Sequence, residues 1–154
     1  MPSAVSVGAV YESNTNTSGA WCLNSACSVT CTDSPAPDRV TCFSNSASYL
    51  TIPAPGVDIA AAGITMDGTS QATPHITGAI AALRGQGAFQ CETVDQTVSR
   101  MTSTGVSDLG TRNGVTTPRI DLLAAVGGSS PISYSISGTI TVSETTTPLS
   151  GVTV

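Results

Sequence analysis

The sequence predicts an α/β fold of one domain's length, followed by a short all-β segment, and three stretches of chain carry this prediction. Residues 4–10 are apolar and β-branched, as in a buried strand. Residues 70–84 are almost wholly small or apolar, with the spacing of a helix. From residue 132 onward, apolar residues alternate with Ser, Thr and Gly, as in strands.

Short strands and turns are expected between the first strand and the long helix. Residues 11–37 are rich in turn formers and predict a long surface loop. Residues 39–43 and 49–52 are short strand candidates. The Pro-Ala-Pro-Gly sequence at 53–56 predicts a rigid turn before a further strand at 57–61.

Helices are expected in much of the second half of the chain. The helix at 70–84 has apolar residues at i, i+4 and i+7 and alanines on other faces, which predicts burial nearly all round. A half-exposed helix is expected at 92–103, where Val94, Val98 and Met101 form one stripe. A third, shorter helix is expected after Pro118.

The composition changes near residue 129. Residues 129–131, Ser-Ser-Pro, are typical of a linker. The alternating segment that follows predicts a two-strand hairpin, which is marginally stable alone. We therefore expect one domain at 1–128, a linker at 129–131, and the beginning of a second, all-β module at 132–154.

Charge and hydropathy argue against two classes of partner. The chain carries a formal net charge of −5, with 5 arginines and no lysine. These are scattered arginines that form no basic stripe for phosphates, so nucleic-acid binding is not expected. No run approaches the about 18 apolar residues that a membrane span requires.

Four of the five cysteines are close together in a Ser- and Thr-rich stretch, at Cys22, Cys27, Cys31 and Cys42. Their C-x4-C-x3-C-x10-C spacing lacks the paired C-x2-C knuckles of zinc sites, so disulfides are favoured over a metal and no metal ligands are assigned. Their pairing is open, and Cys91 is free, intermolecular or paired elsewhere. Disulfides indicate a secreted or extracellular protein, although no signal peptide begins the sequence, which suggests that Met1 is not the biological start.

The tripeptide Gly68-Thr69-Ser70 places a hydroxyl on the first turn of the long helix. Unpaired backbone N–H groups and the helix dipole converge there, and they would stabilise the oxyanion formed when a serine attacks a carbonyl. Ser and Thr are also favoured at any helix start, so the tripeptide alone favours a structural role. Asp67 beside it is interpreted as a turn former.

The longer string at residues 68–79, GTSQATPHITGA, closely resembles the nucleophile motif of the subtilisin-like serine peptidases, G-T-S-x-A-[TSA]-P-H-[VI]-x-G-A. Besides Ser70, its motif positions include Gly68, Thr69, Pro74, His75 and Gly78. Three further segments match in the family's order: PSAVSVGAV at 2–10, FSN at 43–45 with APGVDI at 54–59, and NGVTTPRID at 113–121. The resemblance covers about residues 2–126 and implies part of a three-layer αβα fold with a parallel sheet. The tail resembles the opening strands of carboxypeptidase-regulatory-like or Ig-like modules.

The resemblance implies that Ser70 is the nucleophile and that its backbone N–H is an oxyanion donor. His75, the single histidine, lies five positions on, about 7.5 Å along the helix and roughly 140° around it, too far to take the serine proton. It is expected to be a core histidine. The family's base, orienting Asp and oxyanion Asn lie in segments upstream of the strand at 4–10, and no matching segments are present in this sequence.

The resemblance therefore implies a serine endopeptidase acting on proteins or peptides, present here as a fragment lacking the catalytic Asp and His and inactive alone. The implied partner is an upstream catalytic segment. Two alternatives stay open: an inactive remnant, and a surface-binding or adhesive protein fragment. Subtilases often bind calcium, which makes calcium a candidate cofactor, although no D-x-D-x-D-G loop is present.

Overall fold

The computed structural model describes residues 4–12, 19–107, 114 and 116–128, which form a mixed helix and strand fold with a small parallel sheet. The elements in chain order are β1 (Val7–Val10), β2 (Ala20–Cys22), β3 (Thr30–Thr32), β4 (Ile52–Pro55), β5 (Ile59–Ala61), β6 (Ile64–Met66), α1 (Thr69–Gly85), α2 (Val94–Ser103), β7 (Val106–Ser107), β8 (Pro118–Arg119) and α3 (Leu122–Ala125). The predicted linker at 129–131 and β module at 132–154 lie outside the described residues. Within the described ranges, no helix has the length and apolarity needed to cross a bilayer.

The parallel pair β1 and β4 forms the centre of the fold, with Val7 opposite Ile52 and Val10 opposite Pro55. The prediction of a rigid turn at 53–56 is wrong, because Pro53 and Pro55 are part of β4. Ile52 N–H donates to the Ser6 carbonyl at 3.2 Å on the β1 side, whereas the Pro53 carbonyl faces away and accepts from Ile120. Because backbone groups alternate between the two edges of a strand, Pro53 and Pro55, which lack an N–H, both face this outer edge. Prolines are tolerated there because no ladder hydrogen bond is lost.

The sequence prediction missed the β2–β3 hairpin, which lies in the expected surface loop at 11–37. The strand expected at 57–61 is present as β5 (Ile59–Ala61), but its partner β6 was not predicted. The three strands that were missed, β2, β3 and β6, have three residues each, which is too short for a recognisable alternation. Of the strand expected at 39–43, the structure shows an isolated bridge between Val40 and Val10.

The disulfides expected among the clustered cysteines are confirmed. Cys22 pairs with Cys27 within the β2–β3 hairpin. Cys31 pairs with Cys42, which ties β3 to the segment that follows. Cys91 is a free, exposed thiol.

Helix α1 is confirmed, but the expectation that it is buried nearly all round is wrong. One face packs against β1 and β4, and its buried residues are Ala72, Ile76, Ala79 and Leu83. The opposite side is exposed among the described residues and, with the β5–β6 hairpin, borders an apolar groove of about 720 Å³. Ile64 and Met66 line this groove and are 60% and 48% exposed.

Polar side chains cap the starts of helices α2 and α3. Thr93 and Gln96 form a capping box at the start of α2, each side chain accepting from the other's backbone N–H. Met101 of this helix is buried, whereas Val94, expected in its apolar stripe, is 61% exposed. Helix α3 begins later than expected, because Pro118–Arg119 are taken into β8 and the Asp121 carboxylate caps Ala124 N–H at 2.9 Å.

A partly buried polar network, centred on the buried Tyr11, joins the end of β1 to the β2–β3 hairpin. The Tyr11 hydroxyl donates to Asp33 Oδ1 at 2.6 Å and accepts from Trp21 Nε1 at 3.1 Å. Asp33 Oδ2 accepts from Cys42 N–H at 2.6 Å. Burial, and then the hydrogen bond to Asp33, raise the pKa of Tyr11 well above its usual value.

Replacing Tyr11 by Phe should lower the free energy of unfolding by about 1–3 kcal/mol, because it leaves an Asp33 oxygen and the Trp21 N–H without their partner. A urea titration measures this change. The control is Tyr49→Phe, whose side chain is 79% exposed and which should change stability by less than about 0.5 kcal/mol. Equal effects of the two variants would contradict the assigned network.

The same network gives this variant a second readout, the dependence of stability on pH. Because the folded-state pKa of Tyr11 lies above its unfolded-state value of about 10, the stabilisation is complete below pH 10 and is lost as pH rises further. Tyr11→Phe should remove this decline, and Tyr49→Phe should retain it.

The exposed groove predicts that the isolated chain self-associates at micromolar concentrations, since apolar surface of this kind favours association. Sedimentation velocity should show Ile64→Lys shifting the chain toward monomer. Val29→Lys introduces the same charge at a residue that is 52% exposed on the β2–β3 segment, away from the groove, and should not. A monodisperse wild-type monomer would contradict the prediction.

Candidate active site

Ser70 lies in the first turn of α1, immediately after the strand pair and the β5–β6 hairpin. Gly68 is the residue before the helix, with φ of 146°, a conformation that favours glycine. Ser70 is exposed, and its hydroxyl has no hydrogen-bond partner among the described residues. Because the first N–H groups of a helix have no intrahelical acceptor, the hydroxyl and its own N–H are both available to a ligand.

The position of Ser70 depends on a close backbone approach between Gly56 and Gly68. Gly68 N–H donates to the Gly56 carbonyl at 2.8 Å, just past the end of β4. A Cβ on Gly56 would lie 2.7 Å from the Ala9 Cβ and 2.8 Å from the Gly68 oxygen. Glycine at position 56 therefore lets α1 begin directly against the parallel strands.

The Phe-Ser-Asn segment at 43–45 supports the start of the helix from a second side. Ser44 is buried, and its hydroxyl accepts from Ala9 N–H at 2.9 Å. Asn45 Nδ2 donates to the Thr69 hydroxyl at 3.4 Å. This segment thus links β1 to the residue that precedes Ser70.

Pro74 and Gly78, the other motif positions, lie along α1. Pro74 lacks the N–H that would bond to the Ser70 carbonyl, so this carbonyl has no partner from the regular helical ladder. Gly78 is exposed, and a Cβ there would meet nothing within 4 Å among the described residues. The described residues therefore leave room for a larger side chain at position 78.

His75 is exposed, so the expectation of a core histidine is wrong. It points to the unpacked side of α1 and lines the apolar groove. Its Nδ1 lies 3.0 Å from the Gln71 carbonyl oxygen, a hydrogen bond that requires the proton on Nδ1. The ring is bound to its own helix and makes no hydrogen bond to Ser70.

Two cavities flank Ser70. The apolar groove, lined also by Pro74 and Leu122, lies on one side. On the other side, a more polar pocket of about 410 Å³ is lined by Ser70, Asp67 and the hairpin residues Trp21 and Leu23. Sequence reasoning missed both hairpin residues, although the position of the chain's single Trp next to Cys22 was an available signal.

Acidic groups around the site have structural partners. Asp67 Oδ1 accepts from Asp58 N–H at 2.7 Å and so closes the turn before α1. Within the described part of the chain, no three His, Cys, Asp or Glu residues gather into a group that could hold a metal. The described acidic residues do not fit a calcium site.

Comparison with known proteins gives one family and one relative of interest. The model of the subtilase family, Peptidase S8, matches residues 2–119. A "Thermophilic serine proteinase" from Bacillus sp. (strain AK1) is 39% identical over 77 residues, which cover 44% of this chain and 19% of that protein. The chain thus matches less than a fifth of this relative's length. No solved structure matches the chain. On the family match, which extends from before β1 to the end of β8, the chain belongs to the subtilase family.

Proposed function

We propose that this chain carries the nucleophile of a serine endopeptidase and that Ser70 is that nucleophile. The observation that carries the proposal is the exposed hydroxyl at the start of α1, which lies within the subtilase motif and has no hydrogen-bond partner in the described part of the chain. Ser70 Oγ bonds to the carbonyl carbon of a peptide and gives its proton to a base. The C–N bond then breaks, the amine leaves with a proton, and water hydrolyses the acyl-enzyme.

The developing oxyanion would be stabilised at the helix start. The Ser70 N–H is on the first turn of α1, where no intrahelical carbonyl accepts from it. A donor already in place there costs no reorganisation when charge develops on the substrate oxygen. The positive end of the helix dipole acts in the same direction.

The general base must come from another polypeptide segment. The chain has 1 histidine, His75, and that ring is bound to the Gln71 carbonyl. We infer that an upstream segment supplying the His, the Asp and a second oxyanion donor packs into the apolar groove. This groove borders Ser70 and exposes Ile64 and Met66, which a packed segment would bury.

The setting proposed for this enzyme is extracellular. The disulfides Cys22–Cys27 and Cys31–Cys42 persist in oxidising compartments and are rare in the cytosol. Its substrates would be proteins or peptides.

Labelling with a fluorophosphonate probe tests the proposed nucleophile. The chain joined to a segment that supplies the His and Asp should be labelled at Ser70, and the chain alone should react slower by about four orders of magnitude or more, because it has no base. Ser70→Ala should abolish labelling. Ser99→Ala, at an exposed serine of α2, should leave it unchanged.

Absence of labelling in the completed protein would overturn the proposal. It would favour an inactive remnant, or a fragment whose role is surface binding. Labelling that persists in Ser70→Ala would place the nucleophile elsewhere.

A further inference from the structure

We propose that the β2–β3 hairpin forms one wall of a side-chain subsite beside Ser70, and that this subsite selects a long cationic side chain of the peptide substrate. The inference rests on the proposed peptidase function and adds a preference to it. Its basis is the hairpin pocket, the more polar of the two cavities that flank Ser70.

The hairpin pocket lies between the helix start and the disulfide-bonded hairpin. It has a volume of about 410 Å³, large enough for one side chain. Ser70 and its neighbours line one side, and Trp21, Leu23 and Phe43 line the other. A peptide whose carbonyl is at Ser70 therefore has an adjacent side chain within reach of the hairpin.

The wall is held in place by the Tyr11 network rather than by the hairpin alone. The Trp21 ring meets Phe43 edge-on, with centroids 4.8 Å apart, and its N–H donates to the Tyr11 hydroxyl. The Cys31–Cys42 disulfide and the bond from Cys42 N–H to Asp33 tie the same segment to residue 42, and the adjacent Thr41 N–H donates to the Ala9 carbonyl of β1 at 3.0 Å. A wall with these anchors loses little conformational freedom when a substrate binds.

The chemistry of the lining favours an arginine or lysine side chain. Leu23 is 43% exposed and, with the aromatic rings, offers apolar surface to an aliphatic stem. A guanidinium can lie over the Trp21 ring and near the Asp67 carboxylate.

Among the residues that the structure describes, no basic side chain is paired with the Asp67 carboxylate. None lines the hairpin pocket among the described residues, and Arg100 and Arg119 are paired with Glu92 and Asp38. The chain's net charge of −5 also favours the approach of a cationic ligand.

Fluorescence of Trp21 tests the subsite directly, because it is the one Trp in the sequence. The full chain, at submicromolar concentration, is titrated with acetyl-Ala-Ala-Arg-Ala-Ala-amide and with the same peptide carrying citrulline or Glu in place of Arg. Citrulline has nearly the shape of arginine without its charge. Arg should bind about two- to fivefold more tightly than citrulline, as expected for an exposed ion pair, and Glu should bind most weakly.

Three variants separate charge from shape. Asp67→Asn keeps the oxygen that accepts from Asp58 and should abolish the Arg preference without changing citrulline affinity. Asp95→Asn makes the same charge change on α2, away from the hairpin pocket, and should preserve the preference. Leu23→Ala should weaken Arg and citrulline binding equally.

Equal binding of Arg and citrulline, a preference that survives Asp67→Asn, or no change in Trp21 emission with any peptide would each overturn the proposal. This titration needs no catalysis. If the chain binds the Arg peptide but resists fluorophosphonate labelling even when it is joined to a segment that supplies the His and Asp, the peptidase proposal alone is refuted. If the joined protein is labelled at Ser70 but the chain shows no Arg preference, the subsite alone is refuted.

Discussion

The contact between Gly56 and Gly68 is the constraint on which the rest of the structure depends. It brings the end of a parallel strand against the start of the long helix, with a hydrogen bond of 2.8 Å across the junction. The buried face of α1 can then pack on Ala9, Ile52 and Ala54 of the strand pair. The same junction leaves Ser70 exposed, with the open N–H groups of the first turn beside it. The close approach of Gly56 and Gly68 therefore supports both the packing of the fold and the exposure of the proposed nucleophile.

A second part of the molecule, the disulfide-bonded hairpin, serves the site from the opposite side. Its own strands have three residues each, too few to be stable alone. The buried Tyr11 hydroxyl and the Asp33 carboxylate connect it to β1 and to Cys42. The hairpin therefore adds a fixed wall next to Ser70 without belonging to the central strand pair.

The elements that could be predicted from the sequence are those that depend on residues close together in the chain. Helix α1, the strand at Val7–Val10 and the disulfides follow from periodicity, branching and cysteine spacing. The exposure of His75 was not predictable in this way, because a motif does not reveal which helix face has a packing partner. The role of Pro53 in β4 depends on which strand edge its missing N–H faces, and the hairpin wall depends on contacts between Trp21 and distant residues. Such features are set by tertiary pairing.

The most direct test of the close approach is the free energy of unfolding of Gly56→Ala compared with Gly78→Ala. At position 56 the added methyl group meets Ala9 and the Gly68 carbonyl at less than 3 Å, and stability should fall by about 1–3 kcal/mol. At position 78 the methyl group meets nothing within 4 Å among the described residues and replaces a helical glycine, so stability should rise by up to about 1 kcal/mol. Opposite signs would support the account. A Gly56→Ala variant as stable as Gly78→Ala would contradict it.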